Sequence, residues 1–203
     1  MFVQVVQGQV SDAGRVRQAL EDWVERISPS AQGWLGSTAG VADDGTLVGI
    51  VRFESAEAAQ RNSARAMQGE WWSGMSKLFT GDPEFHDCSV VDHSPGGGSD
   101  QAGFVQVIQG RATDVARLRG LSSVLEERIS EVRPDLIGFL AAFHDGEDGA
   151  FTQVAYFTSE QEARAAEQEQ PPADVAELLD EEAGLVQDMR YIDLRDPWPA
   201  SPG

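Results

Sequence analysis

The chain has 203 residues, and its 34 acidic and 15 basic side chains give a formal net charge of −19 at pH 7. This excess of carboxylates argues against nucleic acid and anionic membranes as partners, because both are bound mainly through Lys and Arg. No apolar stretch approaches the roughly 20 residues of a membrane helix. The single cysteine, Cys88, excludes an internal disulfide. Met1-Phe2-Val3 begins no signal-peptide pattern, so we expect a cytoplasmic protein.

The sequence repeats itself. Residues 2–28 match residues 104–130 at 13 of 27 positions, where about two matches would arise by chance. Further along, we align Gly33-Trp34-Leu35 with Gly138-Phe139-Leu140, and Phe53 with Phe157. A tandem duplication explains these matches most simply.

The duplication predicts the domain organisation. We expect a first repeat over residues 1–92 and a second repeat over residues 103–194. Residues 93–102, rich in Gly, Ser and Pro, are typical of a flexible linker. Residues 195–203 are left as a tail, which either folds back through Trp198 or stays disordered.

The sequence of each half predicts the order of secondary-structure elements β-α-β-β-α-β. In the first half, residues 2–8 form a strand, Ser11-Asp12 caps a helix, and Asp43-Asp44-Gly45 turns a hairpin. An Ala-rich helix, a shorter helix and a closing strand follow, at 55–68, 75–79 and 85–92, and in the second half at 159–169, 175–179 and 185–193. The predicted fold class is therefore α+β, with two tandem ferredoxin-like repeats packed sheet to sheet as an intramolecular pseudo-dimeric barrel.

The junction between the third strand and the second helix carries a family resemblance. The segments that begin at residues 51 and 155 both show an aromatic residue followed by x-Ser-x-x-x-Ala, at Phe53 and Phe157. In this feature the chain resembles the dimeric α+β barrel superfamily, in particular its antibiotic biosynthesis monooxygenase-like branch. The resemblance covers nearly the whole chain as two copies. It implies the fold more specifically than an activity.

The resemblance also implies a chemistry to look for. Cofactor-independent monooxygenases of this branch deprotonate an electron-rich aromatic substrate, which then reacts with dioxygen without metal or flavin. The Asn and Trp expected in the third strand are replaced by Gly49 and Phe53 in the first half, and by Gln153 and Phe157 in the second. The family's heme-degrading members would need a Trp and a His where this chain has Asn62 and Trp72, and the second half has Ala166 and no His between residues 145 and 203, so we expect no heme.

Several residues remain as candidates for a ligand pocket. Trp71 and Trp72 are adjacent on one helix, so we expect one of them at a rim, an interface or a pocket mouth. Gln4 and Gln106 recur in both repeats, and we expect such amides to pair with each other across the pseudo-twofold axis or to line a pocket. The full candidate set is Gln153, Phe157, Phe53, Trp71, Trp72, Gln4 and Gln106.

The sequence leaves three functions open. The first is binding of a small aromatic molecule without clear catalytic machinery, with the first-half pocket as the better site and the catalytic residues unknown. The second is cofactor-independent oxygenation of an electron-rich aromatic substrate, and the third is an acidic protein-interaction module. We expect no cofactor and no metal, since His86 and Cys88 would need two further ligands. Further homodimerisation of the pseudo-dimer stays open.

Overall fold

The computed structural model describes residues 1–94, 98 and 100–202. The chain divides into two compact units: unit 1 is Met1–Val91 with Leu194–Gly203, and unit 2 is Asp92–Asp193. Of the linker predicted over 93–102, Pro95, Gly96, Gly97 and Ser99 lie outside the described residues. Among the residues described, no helix has the length and apolar character needed to span a membrane.

The first half of the chain forms five strands and three α-helices in its described residues. In chain order these are β1 (Phe2–Gln9), α1 (Ala13–Arg26), β2 (Trp34–Val41), β3 (Thr46–Phe53), α2 (Ala56–Ser63), α3 (Ala66–Met75), β4 (Glu84–Cys88) and β5 (Val90–His93). Short 3-10 turns follow α1 at Ser28–Ser30 and α3 at Ser76–Leu78.

The second half repeats this order. Its elements are β6 (Phe104–Ala112), α4 (Val115–Val132), β7 (Leu136–Phe143), β8 (Ala150–Phe157), α5 (Glu160–Ala166), α6 (Ala173–Ala183), β9 (Val186–Leu194) and β10 (Trp198–Ala200). Two five-stranded antiparallel sheets result within the described ranges: sheet 1 in the order β10-β2-β3-β1-β4, and sheet 2 in the order β5-β7-β8-β6-β9. The predicted α+β class with two ferredoxin-like halves is confirmed.

Local signals in the sequence set the helix starts and the hairpins. Asp12 caps α1 by accepting a hydrogen bond from the backbone N–H of Arg15 at 3.0 Å, and Asp114 caps α4 in the same way. In the β2–β3 turn, Gly45 adopts a φ of +84°, a left-handed conformation that glycine tolerates best. These positions behave as the sequence predicts.

Three predicted boundaries were wrong. The short helix expected at 75–79 begins at Ala66, because the Ala-rich helix ends at Ser63 and a new one starts after the extended residue Arg65. The helix expected at 175–179 runs over Ala173–Ala183. The strand expected at 85–92 breaks at Ser89 into β4 and β5, which belong to different sheets.

The strand registers also correct the alignment of the two repeats. Trp34 lies opposite Phe53, and Leu136 lies opposite Phe157, so Trp34 corresponds to Leu136 rather than to Phe139. Both strands carry a bulge at the same place, between Trp34 and Gly36 and between Leu136 and Gly138. The offset between the halves therefore stays at 102 through β2 and β7. The two additional residues of the second half lie in its hairpin, between Phe143 and Ala150.

Candidate functional site

Unit 1 contains a cavity of about 600 Å³ between sheet 1 and the helices α1, α2 and α3. The sheet contributes one face of its strands, on which Val6, Gly49 and Ala39 lie opposite one another. Aromatic side chains from both the strands and the helices supply much of the wall: Trp23, Phe53, Trp71, Trp72, Phe85 and Trp198. The site is therefore a mostly apolar pocket with aromatic walls, of the size that holds small organic ligands.

Small residues on the sheet leave this space open. A Cβ added to Gly49 would meet only the backbone oxygen of Val6, at 3.8 Å. The register places Ser37, Ala39 and Gly49 where sheet 2 carries Phe139, Ala141 and Gln153. Two of the three equivalents in unit 2, Phe139 and Gln153, have much larger side chains, which take up more of the space above that face.

The aromatic residues pack in a continuous row along α1 and α3. The ring centroids of Trp23 and Trp71 are 6.4 Å apart, and those of Trp71 and Trp72 are 6.0 Å apart. Trp72 then meets Phe85 edge to face at 5.2 Å, and Phe85 is 46% exposed. Both adjacent tryptophans are half-buried and both line the cavity, with Trp72 at its exposed end.

The C-terminal strand β10 closes another side of the cavity. Its Trp198 lies opposite Ala39 of β2, and the guanidinium of Arg17 sits 5.8 Å from the centre of the indole ring. Arg17 also forms ion pairs with Glu21 at 3.1 Å and Asp196 at 2.9 Å. The segment predicted as a tail thus folds back through Trp198 and supplies part of the wall.

A hydrogen-bonded group of polar side chains lies at the α2–α3 end of the cavity. Trp23 Nε1 donates to Gln68 Oε1 at 2.6 Å, and Asn62 Nδ2 donates to the same oxygen at 3.3 Å. Asn62 Oδ1 accepts from Arg65 at 2.8 Å. This group joins α1, α2 and α3 and brings two amides, Asn62 and Gln68, to the cavity wall.

The sequence-predicted pocket residues separate into two groups. Gln4, Phe53, Trp71 and Trp72 line the cavity of unit 1. The other three belong to unit 2: Gln153 and Gln106 are buried in its strands, and Phe157 stacks on Phe104 with ring centroids 5.7 Å apart. The structure thus brings four of the seven candidates together and places Gln106, Gln153 and Phe157 elsewhere.

Gln4 and Gln106 each hydrogen-bond to a carboxylate of their own unit, and Gln4 also lines the cavity, which is the second of the two alternatives that the sequence left open. Gln4 Nε2 donates to Asp87 at 2.8 Å on the neighbouring strand, and Gln106 Nε2 donates to Asp193 at 3.0 Å. A cross-strand carboxylate is within reach on the adjacent strand of the same sheet, so each amide is satisfied within its own unit.

Sequence reasoning missed three residues that define the cavity. Gly49 was noted only as a departure from the family pattern, although a glycine within a strand commonly marks a close approach or an open space. Gln68 carried no sequence signal, because its role depends on contacts with two other helices. For Trp198 the sequence predicts two alternatives, a folded-back or a disordered tail, because a three-residue strand is too short to predict from its sequence.

Comparisons with known proteins bear on the fold. No family model matches the chain, and no curated protein matches it significantly. Among solved structures, a suspected monooxygenase from Fusobacterium nucleatum superposes with a TM-score of 0.78 at 9% identity, covering 100% of this chain and 94% of that one. A suspected monooxygenase from Lactobacillus acidophilus gives a TM-score of 0.77 at 14% identity, with 100% and 96% covered.

A ferredoxin-fold protein of Listeria monocytogenes, described as related to antibiotic biosynthesis monooxygenases, matches with a TM-score of 0.53 at 8% identity, covering 100% of this chain and 95% of that one. At such identities the matches show the fold alone. The chain has the ferredoxin-like fold of antibiotic biosynthesis monooxygenase-like proteins, as its strand-to-helix junctions indicated.

Proposed function

We propose that unit 1 binds a small, planar aromatic molecule in the cavity between sheet 1 and its helices. The main support is the row of aromatic side chains along one wall, from Trp23 through Trp71 and Trp72 to Phe85. Aromatic walls favour flat, apolar ligands, because ring contacts add to the free energy of burying apolar surface. The volume of about 600 Å³ is large enough for a ligand of two or three fused rings.

The chemistry of the lining favours binding over acid–base catalysis. The charged side chains on the wall are Arg17, Glu21 and Glu25, all exposed on α1. The polar groups deeper in the wall are amides and hydroxyls, which orient a ligand by hydrogen bonds rather than by proton transfer at neutral pH. A ligand-binding protein is therefore the function that the site supports best.

A titration of planar aromatic compounds tests the proposal. All five tryptophans of the chain, at positions 23, 34, 71, 72 and 198, lie in unit 1, so quenching of tryptophan fluorescence reports on this unit. Gly49→Leu would place a side chain in the cavity, and we expect it to weaken binding about tenfold or more. The matched control is Gly120→Leu on α4, where an added Cβ meets nothing within 4 Å. Wild-type affinity in Gly49→Leu would show that the ligand binds elsewhere.

A second candidate is cofactor-independent oxygenation of an electron-rich aromatic substrate. Two of the structural neighbours are described as suspected monooxygenases, and the cavity provides an apolar, aromatic-walled site of the kind that such chemistry needs. Gly49, at the position where the resemblance expects an Asn, lies on the cavity floor. Consumption of dioxygen with an anthrone or a quinol, lost in Gly49→Leu and kept in Gly120→Leu, would support this activity. Binding without oxygen consumption would leave binding as the function.

A further inference from the structure

One side chain on the cavity wall has hydrogen-bond donors to spare. Gln68 is half-buried on α3 and lines the cavity. Its oxygen, Oε1, already accepts from Trp23 Nε1 at 2.6 Å and from Asn62 Nδ2 at 3.3 Å. Both lone pairs of this carbonyl oxygen are therefore occupied.

Two donor-only groups fix the orientation of these amides. The guanidinium of Arg65 can only donate, so the atom of Asn62 that it contacts at 2.8 Å is the oxygen, and the nitrogen of Asn62 faces Gln68. The indole N–H of Trp23 can only donate as well, so the atom of Gln68 that it contacts is also an oxygen. The opposite assignment would set donor against donor at both ends.

The remaining atom of this amide is Nε2, which carries two N–H donors. Among the residues that the structure describes, no acceptor is hydrogen-bonded to Gln68 Nε2. Because Oε1 is held by α1 and α2, the amide cannot turn over without breaking two hydrogen bonds. Because Gln68 lines the cavity, we expect a molecule that fills the cavity to meet these two donors beside the aromatic part of the wall.

We propose that the Gln68 N–H pair selects an aromatic ligand that carries an acceptor oxygen, such as a ring ketone or a quinone carbonyl. This inference rests on the proposed aromatic-binding function and names the ligand class for that site. A pure hydrocarbon would cover the Gln68 nitrogen without replacing the hydrogen bonds it makes to water, which costs free energy. A ketone oxygen at this end of the cavity accepts one of the donors and removes that cost.

A matched pair of tricyclic probes separates aromatic binding by the cavity from recognition of a ketone oxygen by Gln68. Fluorene and 9-fluorenone have the same ring skeleton and differ in one ketone oxygen. In the wild-type protein we expect 9-fluorenone to bind about tenfold more tightly than fluorene, the effect of one satisfied hydrogen bond in a largely apolar site. Dissociation constants come from tryptophan quenching and are checked by equilibrium dialysis.

Substitution of Gln68 tests whether its Nε2 donors cause the preference for 9-fluorenone over fluorene. Gln68→Glu keeps an oxygen for Trp23 and Asn62 and removes both donors, so we expect the preference for 9-fluorenone to disappear. Because a carboxylate costs more to cover than an amide, we expect both tricycles to bind this variant more weakly than the wild-type protein. Gln60→Glu makes the same chemical change on the exposed side of α2, away from the cavity, and is expected to retain the preference. Circular dichroism and urea unfolding confirm that each variant is folded.

Each outcome has a distinct meaning. Equal binding of the two tricycles by the wild-type protein overturns the inference about Gln68 and leaves the aromatic-binding function in place, whether or not the variant folds. A preference that persists in folded Gln68→Glu overturns the role of Gln68. Binding of neither tricycle by the wild-type protein overturns the proposed function and the inference with it.

Discussion

Trp23 and Trp34 pack edge to face in unit 1, with ring centroids 5.0 Å apart and an interplanar angle of 72°. Both rings are more than nine-tenths buried in one apolar cluster, yet their indole N–H groups differ. Trp23 donates to Gln68 at 2.6 Å, whereas Trp34 Nε1 has no hydrogen-bond partner among the described residues. An unpaired buried donor has lost its hydrogen bond to water without replacement.

This difference predicts unequal effects of the same substitution. Trp23→Phe and Trp34→Phe remove similar apolar volume, but the first also breaks a hydrogen bond and the second removes an unsatisfied donor. We expect Trp23→Phe to lower the free energy of unfolding by about 1–2 kcal/mol more than Trp34→Phe. Urea unfolding followed by circular dichroism measures both variants. Equal losses would contradict the hydrogen-bond assignment.

We expect substitution of Gly49 and of Gly149 by alanine to have opposite effects on the stability of the protein. Gly49 lies inside β3 with open space above it, so Gly49→Ala removes backbone freedom from the unfolded chain and should stabilise the protein by about 0.5–1 kcal/mol. Gly149 has a φ of +69°, and an added Cβ would clash with the backbone oxygen of Ala112. Gly149→Ala should therefore destabilise by about 1 kcal/mol or more. Thermal unfolding of the two variants tests the pair.

Asp135 and Arg133 form a bidentate ion pair in unit 2, with distances of 2.9 and 2.8 Å. The hydrogen bonds from this guanidinium hold the pKa of the Asp135 carboxyl below its usual value. Asp135→Asn should lower the free energy of unfolding by about 2 kcal/mol at pH 7, since hydrogen bonds to charged groups are the stronger ones. Chemical denaturation at neutral pH measures this loss.

The pH dependence of that loss follows from the direction of the shift. A lowered pKa in the folded state contributes stability that is present above the ordinary Asp value of about 3.9 and is lost as the pH falls below it. The difference between wild type and Asp135→Asn should therefore shrink as the pH falls through 4 towards 2. The control is Glu181→Gln, which removes an exposed ion pair with Arg117 and should cost less than the loss at Asp135.

The raised pKa of Glu182 predicts a pH dependence of stability opposite to that of Asp135. Burial raises the pKa of its carboxyl, and Ser122, which donates to it at 3.1 Å, offsets this in part. The folded state therefore holds a proton that the unfolded state has released, so stability falls as the pH rises from about 4.3 towards the raised pKa. Glu182→Gln should stabilise the protein by about 1 kcal/mol at pH 8 and by less at pH 4. The exposed Glu177 on the same helix provides the control, Glu177→Gln, for which a change of similar size would contradict the burial argument.

Trp198 should contribute both to stability and to ligand binding. It is half-buried and packs against the cluster that contains Val10, Val16 and Met75. Trp198→Ala is expected to cost about 2 kcal/mol, less than the loss for a fully buried Trp, and to weaken aromatic binding measured by equilibrium dialysis. Tyr191→Ala, at a side chain that is 60% exposed, should change neither property. Unchanged ligand affinity in Trp198→Ala would remove β10 from the binding wall.

The fold was predictable because its signals are local and occur twice. Capping residues such as Asp12 and Asp114, the hairpin glycines and the spacing of apolar residues in α1 act within a few positions along the chain. The duplication at an offset of 102 then set the order of elements in the second half. Four of the seven candidate pocket residues, Gln4, Phe53, Trp71 and Trp72, line one cavity, and all four belong to the first half, which the sequence favoured for a pocket.

Tertiary structure decided the remainder. The switch of the chain at Ser89 from β4 to β5, and the pairing of β10 with β2, depend on contacts between distant segments. The cavity exists because Ser37, Ala39 and Gly49 from two strands lie side by side, an arrangement set by register. The donors of Gln68 become available to a ligand only because Trp23 and Asn62, on two other helices, occupy its oxygen. The sequence alone determined the main helices and strands of each half, because their signals are local, while packing between them determined β10, the break at Ser89 and the places where space and unpaired donors remain.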